Sequence, residues 1–153
     1  MNWQAFVLGV SLLILMQRKY LISTLIIMAF IFIQSALPGN LSSDESNFFV
    51  KILVALFNVD AGSVGFAVRK CAHFTEYMVL GGSAMLLFSE MWLSGLIAWA
   101  VGAAYSVTDE FHQLFVAGRS CEVRDMCIDA AGVLCGVMVI ALWKMKKGKN
   151  NTN

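Results

Sequence analysis

Two runs of 18 residues, Tyr20–Leu37 and Met91–Thr108, contain no acidic or basic side chain. Each approaches the roughly 20 apolar residues that a helix rising 1.5 Å per residue needs to cross a hydrocarbon core about 30 Å thick. Two further apolar runs have ionisable residues built in: 71–89 carries His73 and Glu76, and 126–143 carries Asp129. With 153 residues, 59% of them hydrophobic and only 14% charged, and a mean hydropathy of +0.73, the chain cannot hide its apolar surface as a soluble globule, because at this size much of it must face solvent. Lipid is the solvent that this composition fits. A formal charge of +1 lacks the basic face that phosphate neutralisation requires, so no nucleic-acid partner is expected. The pattern predicts an all-α integral membrane helical bundle with four core transmembrane helices.

Two weaker segments flank this core. Trp3–Met16 is an apolar run of 14 residues followed at once by Gln17, Arg18 and Lys19. It is short for a span and lacks the positive stretch that precedes the apolar part of a cleaved signal, so it reads as a short extra span or an interfacial helix. After Leu37-Pro38-Gly39-Asn40 breaks the first span, Ser42 and Glu45 offer a capping box. From Ser46 to Val59 the residues Phe48, Phe49, Ile52, Leu53 and Leu56 fall on one helical face opposite Lys51, Ala55 and Asn58, which predicts an outer interfacial amphipathic helix. Asp60, Gly62 and Gly65 are read as loosening the chain before a second span that begins as early as Val64. The chain thus divides into residues 1–19, a short hydrophobic segment with a basic turn; 20–143, the membrane domain; and 144–153, a basic tail.

The tail holds Lys144, Lys146, Lys147 and Lys149, and basic residues accumulate on the cytoplasmic side of a membrane. Its placement there puts Arg18, Lys19 and the turn near Glu90 inside. The segments 38–70 and 109–125 then lie outside. Five basic residues, Lys51, Arg69, Lys70, Arg119 and Arg124, fall in those outer segments. Most of these stand beside acids, which assigns them to a site rather than to orientation.

Helical spacing gathers the remaining polar residues into stripes. Arg69, His73, Glu76 and Tyr77, with Lys70 alongside, recur at three- and four-residue intervals; Tyr105, Asp109, His112 and Gln113, with Glu110, do the same; Asp125 and Asp129 stand four apart. Every stripe lies near the outer end of its helix, so the three predict one outward-facing polar chamber. Ionisable groups at membrane depth cost several kcal/mol unless paired or hydrated, and by default they mark a site. Two other readings stay open: a static ion-pair network in which Arg69, Arg119 and Arg124 neutralise the acids, and a metal centre drawing on His73, Glu76, Asp109, His112, Asp125 and Asp129. Asp109-Glu110-Phe111-His112 lacks the spacing of the helical zinc motif. Gly81-Gly82 and Gly132 to Gly136 read as close-packing points between helices. The four cysteines have no framework spacing, although Cys71 and Cys121 both fall near the outer face.

The strings Arg69-Lys70-Cys71-Ala72-His73-Phe74-Thr75-Glu76-Tyr77 and Tyr105 through Asp109-Glu110-Phe111-His112-Gln113 to Gly118-Arg119, followed by Asp125 and Asp129-Ala130-Ala131-Gly132, resemble the VanZ-like family of small bacterial membrane proteins. The resemblance runs from about Tyr20 to Trp143, with Ala117 where many members carry proline. It implies a multi-pass protein of the bacterial cell membrane and, from the family's namesake, low-level resistance to glycopeptide antibiotics of the teicoplanin type. It implies no residue roles.

The roles are therefore read from the stripes. The leading expectation is modification of a lipid or lipid-linked cell-wall component in the chamber. His73 or His112 would act as general base, since imidazole titrates near neutrality, Glu76 or Asp109 would orient it, and Arg69, Lys70, Tyr105 and Arg119 would hold an anionic headgroup. Tyr77, Glu110, Gln113, Asp125 and Asp129 complete the catalytic set, the two aspartates balancing charge or binding a metal. Gly118-Arg119-Ser120 reads as a flexible turn presenting a guanidinium to the ligand, with Arg119 and Asp125 approaching Arg69 and Glu76. The alternative is a non-catalytic protein in which the same groups dock a lipid headgroup or the lipoglycopeptide itself. The sequence names no cofactor and leaves the metal requirement open.

Overall fold

The computed structural model describes residues 3–38, 50–52, 54–56 and 60–150. Among them the chain is all-helical, with four long helices: α1 (Trp3–Ser35), α2 (Ala61–Leu87), α3 (Ser94–Gln113) and α4 (Val123–Asn150). Of the amphipathic helix expected over 46–59, residues 50–52 and 54–56 are helical. Its remainder and the Ser42/Glu45 capping box lie outside the described residues.

The short N-terminal segment is not separated from the first span. α1 runs unbroken for 33 residues, about 50 Å at 1.5 Å per residue, because Gln17, Arg18 and Lys19 are good helix formers and nothing there breaks a helix. It stops before Pro38, the chain's only proline, whose ring disfavours helical conformation in the preceding residue. The basic turn assigned to residues 17–19 is therefore a helical stretch. The basic tail is likewise continuous with α4 as far as Asn150.

α2 begins earlier than Val64, and the reason is a cap. Asp60, in extended conformation, accepts the Ser63 backbone N–H at 2.8 Å, which satisfies an orphan donor of the first turn and holds its carboxyl below the usual carboxylate range. Gly62 and Gly65 are thus inside the helix instead of loosening a linker.

α1 and α4 contain segments long and apolar enough to cross a membrane, within Ile14–Ser35 and Val123–Asn150, whose most apolar 18-residue windows have mean hydropathies of 1.5 and 2.1. Only 11% and 28% of these windows is buried, so they are not core helices of a soluble fold. Leu21, Ile22, Leu25, Ile26, Ile33, Val139, Leu142 and Trp143 all face outward. α2 and α3 do not reach the same apolarity, because their ionisable residues lower it. These features describe a membrane protein.

α2 and α4 meet backbone to backbone. A Cβ on Gly81 would overlap the Val133 carbonyl and one on Gly136 the Met78 carbonyl, while Gly132 faces the Phe74 carbonyl. Small residues at such crossings are how helices approach closely in lipid. Beside them Tyr77, Leu80, Ala84, Ala98, Val133 and Val137 form the buried core. α1 is attached by hydrogen bonds: Ser23 and Thr24 meet Ser83 at 3.0 and 2.8 Å, and Tyr105 donates to the Met28 carbonyl at 2.6 Å. The helices bring Lys19, Glu90, Lys144 and Lys147 to one end of the bundle. The polar stripes occupy the other end.

Candidate functional site: a polar cavity at one end of the bundle

The stripes converge on a cavity of about 270 Å³, walled by α2, the last turn of α3, the loop 114–122 and the first turns of α4. Eight of the thirteen sequence candidates line it: Arg69, Lys70, His73, Glu110, Gln113, Arg119, Asp125 and Asp129. The other five, Glu76, Tyr77, Tyr105, Asp109 and His112, sit outside its lining.

Several lining groups are already engaged. Lys70 Nζ pairs with Asp125 Oδ2 over the Phe66 ring, 5.1 Å away. Arg119 and Asp125 share the cavity lining with Arg69, while the direct ion-pair partner of Asp125 is Lys70, the residue after Arg69. Glu110, buried at 1% exposure, accepts the Glu122 backbone N–H at 3.0 Å and the Gln113 amide at 3.2 Å. It fastens the loop to α3. Arg124 pairs with Glu122 at the rim at 2.7 Å.

Arg119 is held rather than loose. Its Nε donates to the Leu37 carbonyl at 3.0 Å and its Nη2 to the Gln34 carbonyl at 3.1 Å. Gln34 is in the last turn of α1 and Leu37 two residues past its end, where helical pairing of carbonyls is incomplete; the Gln34 carbonyl also accepts the Leu37 N–H at 3.3 Å. Burial draws the guanidinium below its ordinary value; Asp109 opposes this and the neighbouring Arg69 adds to it. Gly118 makes the turn possible, with φ 74° in the region that L side chains avoid.

The groups left facing the cavity are Arg69, His73 and Asp129. Among the described residues Arg69 has no acid within ion-pair distance and no hydrogen-bond partner. His73 Nδ1 and Asp129 Oδ2 are buried without one.

Behind the cavity lies a second polar layer. Asp109, 1% exposed, stands against Ser35, Tyr77 and Gln113. Gln113 reaches Asp109 Oδ2 at 3.5 Å, whereas Ser35 Oγ, Tyr77 Oη and Asp109 Oδ1 are all buried without a hydrogen bond of good geometry. His112 packs against Phe32 of α1 with ring centroids 4.3 Å apart and planes tilted by 47°, and it is not among the cavity-lining residues, as His73 is. Tyr105, expected to hold ligand, has given its hydroxyl to α1. Unpaired buried polar atoms are costly and few in ordinary cores. Of the eight orphaned atoms among the described residues, seven belong to the predicted stripes, so the cost is concentrated at the candidate site.

Ser35, Phe66 and Glu122 were missed from sequence. Phe66 lies four residues before Lys70, and extending the α2 stripe by one turn reaches it. Ser35 is one of several hydroxyls in an uncharged span and carries no signal of its own. Among the described residues no group of three His, Cys, Asp or Glu side chains converges as a metal-binding set, so the metal reading lacks a ligand cluster there. All four cysteines, Cys71 and Cys121 included, are free thiols.

The family model VanZ/LLP1 matches residues 20–144, a span that contains every residue of the cavity. No curated protein and no solved structure matches the chain.

Proposed function

Because the chain belongs to the VanZ/LLP1 family, we propose that it is a four-pass protein of the bacterial cell membrane, with its C-terminus cytoplasmic and its polar cavity opening outward. In this reading the cavity takes the anionic group of a lipid or lipid-linked cell-wall component, and its occupancy gives low-level resistance to glycopeptides of the teicoplanin type. The observation that carries it is Arg69, a guanidinium facing the cavity with no acidic partner among the described residues. Such a group is costly in lipid unless an anion completes it, and its planar fork suits phosphate or carboxylate.

His73 is the imidazole beside that anion site, which makes it, rather than His112, the candidate for moving a proton to or from a bound group. Asp129 lies on the same wall system and balances the cationic charge. A second reading, docking without turnover, is favoured by one detail: among the described residues Ser120 is the single hydroxyl on the cavity wall, and it donates to Glu122 at 3.2 Å, so none of them offers the histidine a free hydroxyl nucleophile.

The test is teicoplanin susceptibility of cells producing Arg69→Ala, Arg69→Lys and His73→Ala, with the amount of each protein in the membrane measured in parallel. Loss of protection in Arg69→Ala at normal abundance, with partial retention in Arg69→Lys, is expected. Full protection by Arg69→Ala would remove the anion-site reading. Protection retained by His73→Ala alone would select docking over catalysis.

A further inference from the structure

A second feature lies at the opposite, basic end and takes no part in the polar cavity. Between α1, α2 and α4 runs a groove of about 380 Å³ whose walls include Ile27, Val79, Gly82, Val139 and Ile140. It is apolar even though Ser23 and Ser83 line it, because these hydroxyls are spent on each other and on Thr24. Gly82 keeps its floor low: a Cβ there would already lie 3.4 Å from Ile140 Cγ1. Val79 and Val139 stand at its lips, 50% and 55% exposed.

The groove does not end blindly. Through Tyr20 and Leu86, which line both, it continues into a second hollow of about 370 Å³ bordered by Trp143, Lys144, Lys147 and Glu90. Lys19 lines the groove next to Tyr20, one of the two residues that the hollows share. Three lysines against one carboxylate leave this mouth cationic, and Glu90 is within ion-pair distance of none of them among the described residues. Tyr20 and Trp143 are the aromatic types that sit at the level of lipid headgroups. An apolar slot leading to a cationic mouth at the interface has the polarity profile of one anionic lipid.

We propose that this groove binds a single anionic phospholipid from the leaflet at the basic end of the bundle, with an acyl chain lying between Val79, Gly82 and Val139 and the phosphate at Lys19, Lys144 and Lys147. The complementarity is of charge as well as of shape: basic pockets between membrane helices recognise anionic headgroups, and each lysine near the surface strengthens that attraction about fivefold. The bound lipid spans α1, α2 and α4 and so ties the long first helix to the pair that walls the polar cavity. It is independent of what that cavity binds.

Native mass spectrometry of the full chain, released from mixed micelles holding equal amounts of phosphatidylglycerol and phosphatidylcholine, tests it. One phosphatidylglycerol per chain should be retained in preference to phosphatidylcholine. The combined variant Lys19→Gln, Lys144→Gln, Lys147→Gln should abolish the preference, and Val79→Trp with Val139→Trp, which fills the slot from exposed positions, should abolish retention with the lysines intact. Equal retention of both lipids by the unaltered chain would mean ordinary boundary lipid and would overturn the proposal. So would a charge-neutralised variant that keeps its preference, or a dimer whose formation, rather than lipid binding, is lost on filling the slot.

Discussion

Arg119 grips the end of α1 across 82 residues of sequence, its Nε on the Leu37 carbonyl and its Nη2 on the Gln34 carbonyl. The loop between α3 and α4 is thereby fastened to the first helix, and one wall of the polar cavity is fixed in place. Loss of two charge-assisted hydrogen bonds should cost about 2 to 4 kcal/mol. Thermal melts of Arg119→Ala in detergent should fall accordingly, and Arg119→Lys, which cannot span both carbonyls, should recover only part. A further Asp125→Asn change should not rescue Arg119→Ala, because Asp125 is paired elsewhere. Rescue would mean that the two form a direct pair.

Lys70 and Asp125 should be coupled instead. Their side chains are 22% and 14% exposed, so removal of one partner leaves a charge that is mostly but not wholly desolvated. Lys70→Met or Asp125→Leu alone should each destabilise by about 1 to 3 kcal/mol, and the double variant by less than the sum. Additive losses in a double-mutant cycle would show that no direct interaction exists.

The glycines test the packing that makes the cavity. Gly81→Ala places a methyl group into the Val133 carbonyl, where backbone and not a flexible side chain must yield. Folded protein should be lost or its melting temperature sharply reduced. Gly148→Ala, with nothing within 4 Å of its Cβ, should be neutral. Gly118→Ala should cost about 1 kcal/mol or more, because its positive φ is strained for any residue with a Cβ. A melt of Gly81→Ala matching that of the unaltered chain would mean that α2 and α4 do not approach this closely.

Orientation is tested at Ser120, an exposed residue on the rim of the polar cavity. With the four natural cysteines replaced, Ser120→Cys should react with an impermeant maleimide added to intact cells, and a reporter fused after Lys149 should be cytoplasmic. Reaction at Ser120→Cys only after permeabilisation would invert the topology.

Much of this was legible in the residues. The uncharged runs gave helices in lipid, the three- and four-residue spacing placed Arg69 with His73 and Asp125 with Asp129 on single faces, and the strings around His73 and His112 carried the family. Those properties are local: they depend on helical periodicity and on side-chain polarity, both fixed within one segment. The joining of Trp3–Met16 to the first span was also local, but a length argument applied to two separate apolar runs obscured it. What periodicity does not contain is the rotation and axial offset of one helix against the next. Between α2 and α4, Gly81, Gly132 and Gly136 set these by letting the two backbones touch. The assembled helices turn Lys70 rather than Arg119 toward Asp125, commit Tyr105 to the Met28 carbonyl, pack His112 against Phe32, and leave Arg69 facing the cavity with no carboxylate beside it among the described residues.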